Sequence, residues 1–132
     1  MIKCLRVDHR LLHGQVAFSW TSYLSADCIL IACDAVVNDE IRKAAIKLAK
    51  PQGVKLVIKS IEDAAKLVEG TSCIKSVNLG GTKAKEGTRN ISKAVNILPK
   101  EEEILKTLSQ KGIEVEIRMV PNDEKIDISK VL

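Results

Sequence analysis

The sequence is poor in aromatic rings, with one Trp, one Tyr and one Phe in 132 residues. Its interior must therefore be aliphatic, and the scarcity argues against stacking platforms for the bases of single-stranded nucleic acid. Long apolar runs are missing as well. No segment approaches the roughly 20 apolar residues of a membrane-spanning helix. The opening Met-Ile-Lys-Cys-Leu-Arg has no long apolar region, so no signal peptide is expected. The four cysteines, Cys4, Cys28, Cys33 and Cys73, form no C-x-x-C pair. Most lie in apolar runs, where a thiol behaves as a small hydrophobe; reduced, buried cysteines in a cytoplasmic protein are expected. Charge is not gathered into a block: the net +4 comes with lysines scattered along the chain, and no nucleic-acid partner is expected. The G-x-x-x-x-G-K phosphate loop and the dinucleotide fingerprint are absent. No repeat, linker, Ser-His-Asp set or Cys-His set is seen.

What is present is ordinary for a globular protein, 45% hydrophobic and 29% charged, in a length that suits one domain over residues 1–132. Periods of two and 3.6 alternate along the chain, the signature of βαβ units. Strands are predicted at Ile2–Val7, Cys28–Cys33, Val54–Ile58, Ile74–Leu79, Ile91–Leu98 and Ile113–Val120. Cys28–Cys33 is apolar throughout, as in a strand covered on both faces. The first helix runs from Gly14 to about Leu24, burying Val16, Trp20 and Tyr23/Leu24. Asn38 caps the next, whose stripe is Ile41, Ala44, Ala45 and Leu48, with Pro51 and Gly53 ending it. Ser60 and Asp63 make a capping-box-like start to a third helix, which buries Ile61, Ala64, Ala65 and Val68 and stops at Gly70. Thr82–Asn90 forms the longest loop. Pro99 suits the first turn of the last helix, which buries Ile104, Leu105 and Leu108 and ends at Gly112. Ile113–Val120 alternates strictly, with Glu114, Glu116 and Arg118 outward, as in a strand near a sheet edge. The expected fold is α/β: three layers, with helices on both faces of an open, mainly parallel sheet.

The stretch Arg6-Val7-Asp8-His9-Arg10-Leu11-Leu12-His13-Gly14-Gln15-Val16 stands where the first strand hands over to the first helix. Open α/β sheets place ligands at such points, and a helix start adds backbone N–H groups and a positive dipole end. Phosphoryl transfer needs a nucleophile with donors around the moving oxygens. His13 supplies an imidazole; Arg6, Arg10 and the N–H groups of Gly14 and Gln15 supply donors. Asp8 has two readings, fixing an arginine or the imidazole tautomer, or pairing with Arg10 at the loop base. A metal held by His9 and His13 is disfavoured, because Arg10-Leu11-Leu12 precedes the helix and no nearby Cys or Glu completes a set. Asp34, Asn78, Gly80 and Gly81 end other strands and are either rim residues of the same site or turn formers.

This stretch closely resembles the active-site segment of the IIB components of the mannose/fructose/sorbose family of the bacterial sugar phosphotransferase system. Family-like segments continue around Trp20, over Asp34–Glu40, at Lys50-Pro51-x-Gly53-Val54, Val77–Gly81 and Ile91-Ser92-x-Ala94-Val95, and from Glu116 to Asp123. The resemblance implies that His13 receives a phosphoryl group from a phosphohistidine on a IIA protein. His13 then passes it to a sugar presented by the membrane IIC and IID proteins. It implies roles for Arg6, Asp8, Arg10 and Gln15 in shaping the site and holding phosphoryl oxygens, and neither metal nor organic cofactor. His9 stands where many members carry Asp, and Ala35 and Thr82 where acidic and Met residues are common. The chain is shorter than the usual member, as though a strand–helix unit near Ile61–Val68 had been lost; a peripheral unit is expected, since losing a central strand would separate the ligand-bearing loops.

The expected function is that of a cytoplasmic phosphocarrier, peripherally associated with the permease, that transfers phosphate from His13 to a sugar. The alternative is a non-catalytic α/β module that binds an anionic metabolite or a partner protein at the same loop.

Overall fold

The computed structural model describes residues 2–69 and 74–132. The expected helix stop at Gly70 and the buried state of Cys73 lie outside the described residues. In chain order the elements are β1 (Leu5–Asp8), α1 (Gly14–Leu24), β2 (Cys28–Ala32), α2 (Asp34–Val37), α3 (Glu40–Leu48), β3 (Lys55–Lys59), α4 (Ile61–Val68), β4 (Ser76–Gly81), β5 (Arg89–Asn90), β6 (Asn96–Ile97), α5 (Pro99–Gln110), β7 (Glu114–Ile117), β8 (Ile126–Asp127) and a closing 3-10 turn (Ile128–Lys130). The fold is α/β, mixed but mostly parallel in its strands, with helices on both faces.

Among the described residues β1, β4, β7 and β8 are paired in that order, β2 pairs with β3, and β5 pairs with β6. The chain accordingly divides into two compact units, Met1–Arg10 with Cys73–Leu132, and Leu11–Ser72. In the first, β1, β4 and β7 run parallel and β8 returns antiparallel. Its core is aliphatic: Val77, Leu79, Val95, Ile97, Leu105, Val115, Ile117 and Ile128 are all buried together. The second unit holds the parallel pair β2–β3 and packs Leu12, Ala17, Ile31, Val36 and Ile46.

Local signals act as the sequence suggests at two helix starts. Ser60 Oγ accepts from the Asp63 N–H at 3.1 Å, and Pro99 begins α5 with Glu101 Oε2 accepting from the Leu98 N–H at 2.8 Å. Elsewhere the structure differs. Asp39, not Asn38, caps α3, because its carboxylate reaches the Arg42 N–H at 3.0 Å. Residues 91–98 hold only the two-residue β6, paired antiparallel with β5. Cys28 and Ala32 are exposed, so β2 is not covered on both faces. The stripe expected to bury α3 faces outward: Ile41 and Leu48 are 85% and 89% exposed, whereas Ile46 is 7% exposed. In α4 only Ala64 of the expected inner face is buried, and Ile61 is exposed. In α5, Ile104 is exposed and Leu105 buried. Helical periodicity marks an apolar face but not whether a neighbour covers it; α3 points Ile46 at Val36 and Ile31 instead.

The largest reversal concerns β7. Glu116, expected outward, is 4% exposed. β7 lies beside the two-residue edge strand β8, near the sheet edge as expected, but in register Glu116 stands opposite Asn78, itself opposite Arg6. The alternation therefore marks a polar row running inside the sheet, not a wet face.

The assignment of the α3 face is testable by chemical denaturation. Ile46→Ala is expected to cost about 2–4 kcal/mol, and Leu48→Ala to stay within about 0.5 kcal/mol of the parent. Equal losses at the two positions would contradict the observed packing.

Candidate functional site

β1 breaks its register with β4 between Val7 and Asp8, so that Asp8 pairs with Gly81. The His9 N–H then donates to the Gly81 carbonyl at 2.9 Å. This bulge turns the Asp8 carboxylate inward, where its side chain is 2% exposed. A bare buried carboxylate costs several kcal/mol in lost hydration, so it must be matched by cations and donors. Arg10 supplies a fork: Nε donates to Oδ1 and Nη2 to Oδ2, both at 3.0 Å, and the Arg10 backbone N–H reaches Oδ1 at 3.0 Å. Arg6 Nη2 donates to Oδ2 from the other side at 2.9 Å.

Arg6 is held along its own length. Nη1 donates to Asn78 Oδ1 and, at 3.2 Å, to the Arg118 carbonyl; Nη2 also reaches the Met119 carbonyl at 3.0 Å. The guanidinium lies against Gly80, where a Cβ would collide with it. Asn78 has no exposure, and its Nδ2 donates to Glu116 Oε1 and to the Arg118 carbonyl, each at 3.2 Å. Glu116 Oε1 also accepts from Arg118 Nη2 at 3.1 Å.

Titration follows from this packing. Burial alone would raise the Asp8 carboxyl, but the Arg10 hydrogen bonds and the two guanidinium charges overcome it and bring the group from the ordinary 3.8 to about 2. Burial lowers the Arg6 guanidinium, with Asp8 opposing. Burial pushes the Cys4 thiol up, which favours the protonated, less nucleophilic form.

The remaining expected site residues lie in several places. Leu11 takes a left-handed φ of 61°, rare outside glycine, and packs with buried Leu12 into the second unit. His13 is the N-cap of α1 in an extended conformation; its side chain makes no cap hydrogen bond and its Nε2 is buried. Gly14, with φ +36°, opens the helix, and Gln15 follows it, exposed. Asp34 Oδ1 accepts from the Ile61 N–H at 2.9 Å, a cap on α4. Gly80 and Gly81 end β4, and a Cβ on Gly81 would come into van der Waals contact with the His9 ring. Among the described residues no group of three or more His, Cys, Asp or Glu is placed to hold a metal. Sequence reading missed Glu116 and Arg118. The available signal was the polar residue in the middle of each apolar strand, Arg6 between Leu5 and Val7 and Asn78 between Val77 and Leu79.

Because the Asp8 carboxyl sits lower in the folded chain than in the unfolded one, its stabilisation is complete above about pH 4 and disappears as pH falls towards about 2. Asp8→Asn, which leaves two arginines without their anion, is expected to cost about 3 kcal/mol at neutral pH. The gap between parent and variant should close on acidification across that window, as read from denaturation midpoints. A gap that is independent of pH would contradict the pairing.

The chain matches the family described as PTS system sorbose subfamily IIB component over residues 2–62 and 56–132. It is 32% identical to the sorbose-specific EIIB component of Lacticaseibacillus casei, with 97% of this chain and 93% of that protein covered. It is 31% identical to the mannose-specific EIIAB component of Escherichia coli, which covers 100% of this chain, while the chain spans 48% of that longer protein. The IIBSor domain of the Klebsiella pneumoniae sorbose permease superposes with a TM-score of 0.87 at 27% identity, covering 98% and 94% of the two chains. These likenesses support a IIB phosphocarrier and a phosphotransferase. They also correct the acceptor: the family relationship argues for a cysteine, consistent with the exposed Cys28, against His13 and a phosphohistidine intermediate. Arg6 and Arg10 are both bound to Asp8, and His13 Nε2 is buried. The chain belongs to the sorbose-subfamily IIB components of the sugar phosphotransferase system.

Proposed function

We propose that this IIB chain takes a phosphoryl group from a phosphorylated IIA protein or domain and passes it to a sugar presented by membrane IIC and IID components. The supporting observation is the family match, which takes in both compact units. The mannose relative carries EIIA and EIIB in its name, which favours a IIA donor for this chain too. No helix among the described residues is long and apolar enough to cross a membrane, in keeping with a carrier that works in the cytoplasm against a separate permease. The whole of residues 1–132 acts as one IIB domain built of two units.

Within this reading the polar stretch supplies the groups that meet phosphoryl oxygens. Arg10 is the more open arginine, its side chain 37% exposed against 18% for Arg6. Arg6 and Asp8 hold it in place. Gly14 and Gln15 offer backbone N–H groups at the start of α1, where a helix favours anions. Asp34, Gly80 and Gly81 shape the strand ends.

The chain has also lost a strand–helix unit. The alignment with the mannose relative runs over 156 positions while taking in all 132 residues, so about two dozen positions face no residue here. Both pieces of the family match claim residues 56–62, in β3 and the start of α4. That overlap favours two family units merged into one at this point.

The test is phosphorylation by phosphoenolpyruvate and the upstream carrier proteins, read by intact mass. The wild type is expected to gain one phosphoryl group only when phosphorylated IIA is present. Peptide mapping then names the acceptor, and a Cys28→Ser chain that still takes the label would remove that thiol. Binding of inorganic phosphate without any labelling would favour the anion-binding module instead.

A further inference from the structure

A buried carboxylate outside the assigned loop stands at the end of an unbroken row of polar groups that leads to Arg10. Glu116 in β7 meets Asn78 in β4, Asn78 meets Arg6 in β1, Arg6 meets Asp8, and Asp8 meets Arg10. Each link has a direction fixed by donor chemistry. An ionised carboxylate and a carbonyl only accept, so Asn78 must turn Nδ2 toward Glu116 Oε1 and the Arg118 carbonyl. Its Oδ1 is then left facing Arg6, whose guanidinium only donates. Reversing the amide would set Nδ2 against Arg6 and Oδ1 against Glu116, placing donor on donor and acceptor on acceptor.

The consequence reaches the open end of the row. With Asn78 fixed, Arg6 Nη1 bridges Asn78 and the Arg118 carbonyl, while Nη2 bridges Asp8 and the Met119 carbonyl. Four acceptors thus stop the guanidinium from rotating. Asp8 Oδ2 takes both Arg6 Nη2 and Arg10 Nη2, so the position of Arg6 sets the carboxylate plane on which the Arg10 fork rests. Arg118, in contact with both Glu116 and the loop carbonyl of Pro121 at 3.0 Å, braces the far end. Hydrogen bonds of this charged kind are directional and strengthen one another when buried.

We propose that Glu116 is a positioning residue for Arg10, acting through Asn78, Arg6 and Asp8 to hold that guanidinium in the orientation that receives phosphoryl oxygens. This rests on Arg10 being the phosphoryl-binding arginine of the proposed function. Glu116 touches no substrate itself. Its contribution is to fix an amide, and through it two cations, before the anion arrives.

The experiment uses Glu116→Leu in the full chain, with the guanidinium resonances of Arg6 and Arg10 followed by nitrogen-15 NMR and phosphoryl transfer from phosphorylated IIA followed in parallel. In the wild type, Arg6 is expected to show separate, slowly exchanging Nη signals. Glu116→Leu, which removes the acceptor facing Asn78, should merge the Arg6 signals, shift those of Arg10, and lower kcat/KM for transfer about tenfold. Lys106→Met, which breaks an exposed ion pair with Glu102 on α5, should leave signals and transfer as they were. Unchanged guanidinium signals in a folded Glu116→Leu chain would overturn the proposal. So would rapidly averaged Arg6 signals in the wild type, a result that holds even if the variant does not fold. Full transfer activity in Arg10→Lys would instead remove Arg10 from the phosphoryl site, and is read separately from the resonances.

Discussion

The Asp8 carboxylate, shut inside the protein between two guanidinium groups, is the constraint on which the first compact unit turns. A charge in that position is matched by Arg6 on one side and Arg10 on the other, and loss of either would leave it with a single cation. The demand fixes more than a salt bridge. It requires β1 to slip its register at Val7/Asp8 so that the side chain turns inward. It also requires β4 to carry Asn78 and Gly80, one to accept from Arg6 and the other to leave room for it. Finally, it brings the chain beyond β7 close enough for the Arg118 and Met119 carbonyls to complete the shell.

Much of this was legible in the sequence, and the exceptions share a cause. The alternation of strands and helices, the Ser60 cap and Pro99 are short-range signals, and short-range signals survive tertiary packing. The cluster Arg6, Asp8 and Arg10 was visible because three charges within five residues do not suit an ordinary strand end. Glu116 was misread because a period of two says that Glu114, Glu116 and Arg118 share a face without saying which face is wet. A polar residue opposite a polar residue on the next strand changes that reading, but only once the register is known. The outward stripe of α3 failed for the same reason: amphipathicity supplies a face and packing decides its partner. The acceptor was the least legible of all, since a histidine among arginines at a helix start carries the same pattern whether or not it reacts.

The two units are also built on different mechanical terms. The first has a four-stranded sheet whose inner strands bury almost every side chain. The second rests on two parallel strands with helices laid against them. Two strands alone are marginal in water, so helix packing through Ile31, Val36 and Ile46 carries most of its cohesion. The second unit begins at Leu11, whose left-handed backbone precedes the buried Leu12.

Gly80 carries a last consequence. Its missing methyl is filled by the tip of a long side chain from another strand, so the space belongs jointly to residues 6 and 80. Sequence drift at either place is therefore tied to the other: a bulkier residue on β4 demands a shorter one on β1, and the shorter one abandons Asp8. Within a lineage that keeps this carboxylate buried between its two arginines, neither position is free to change.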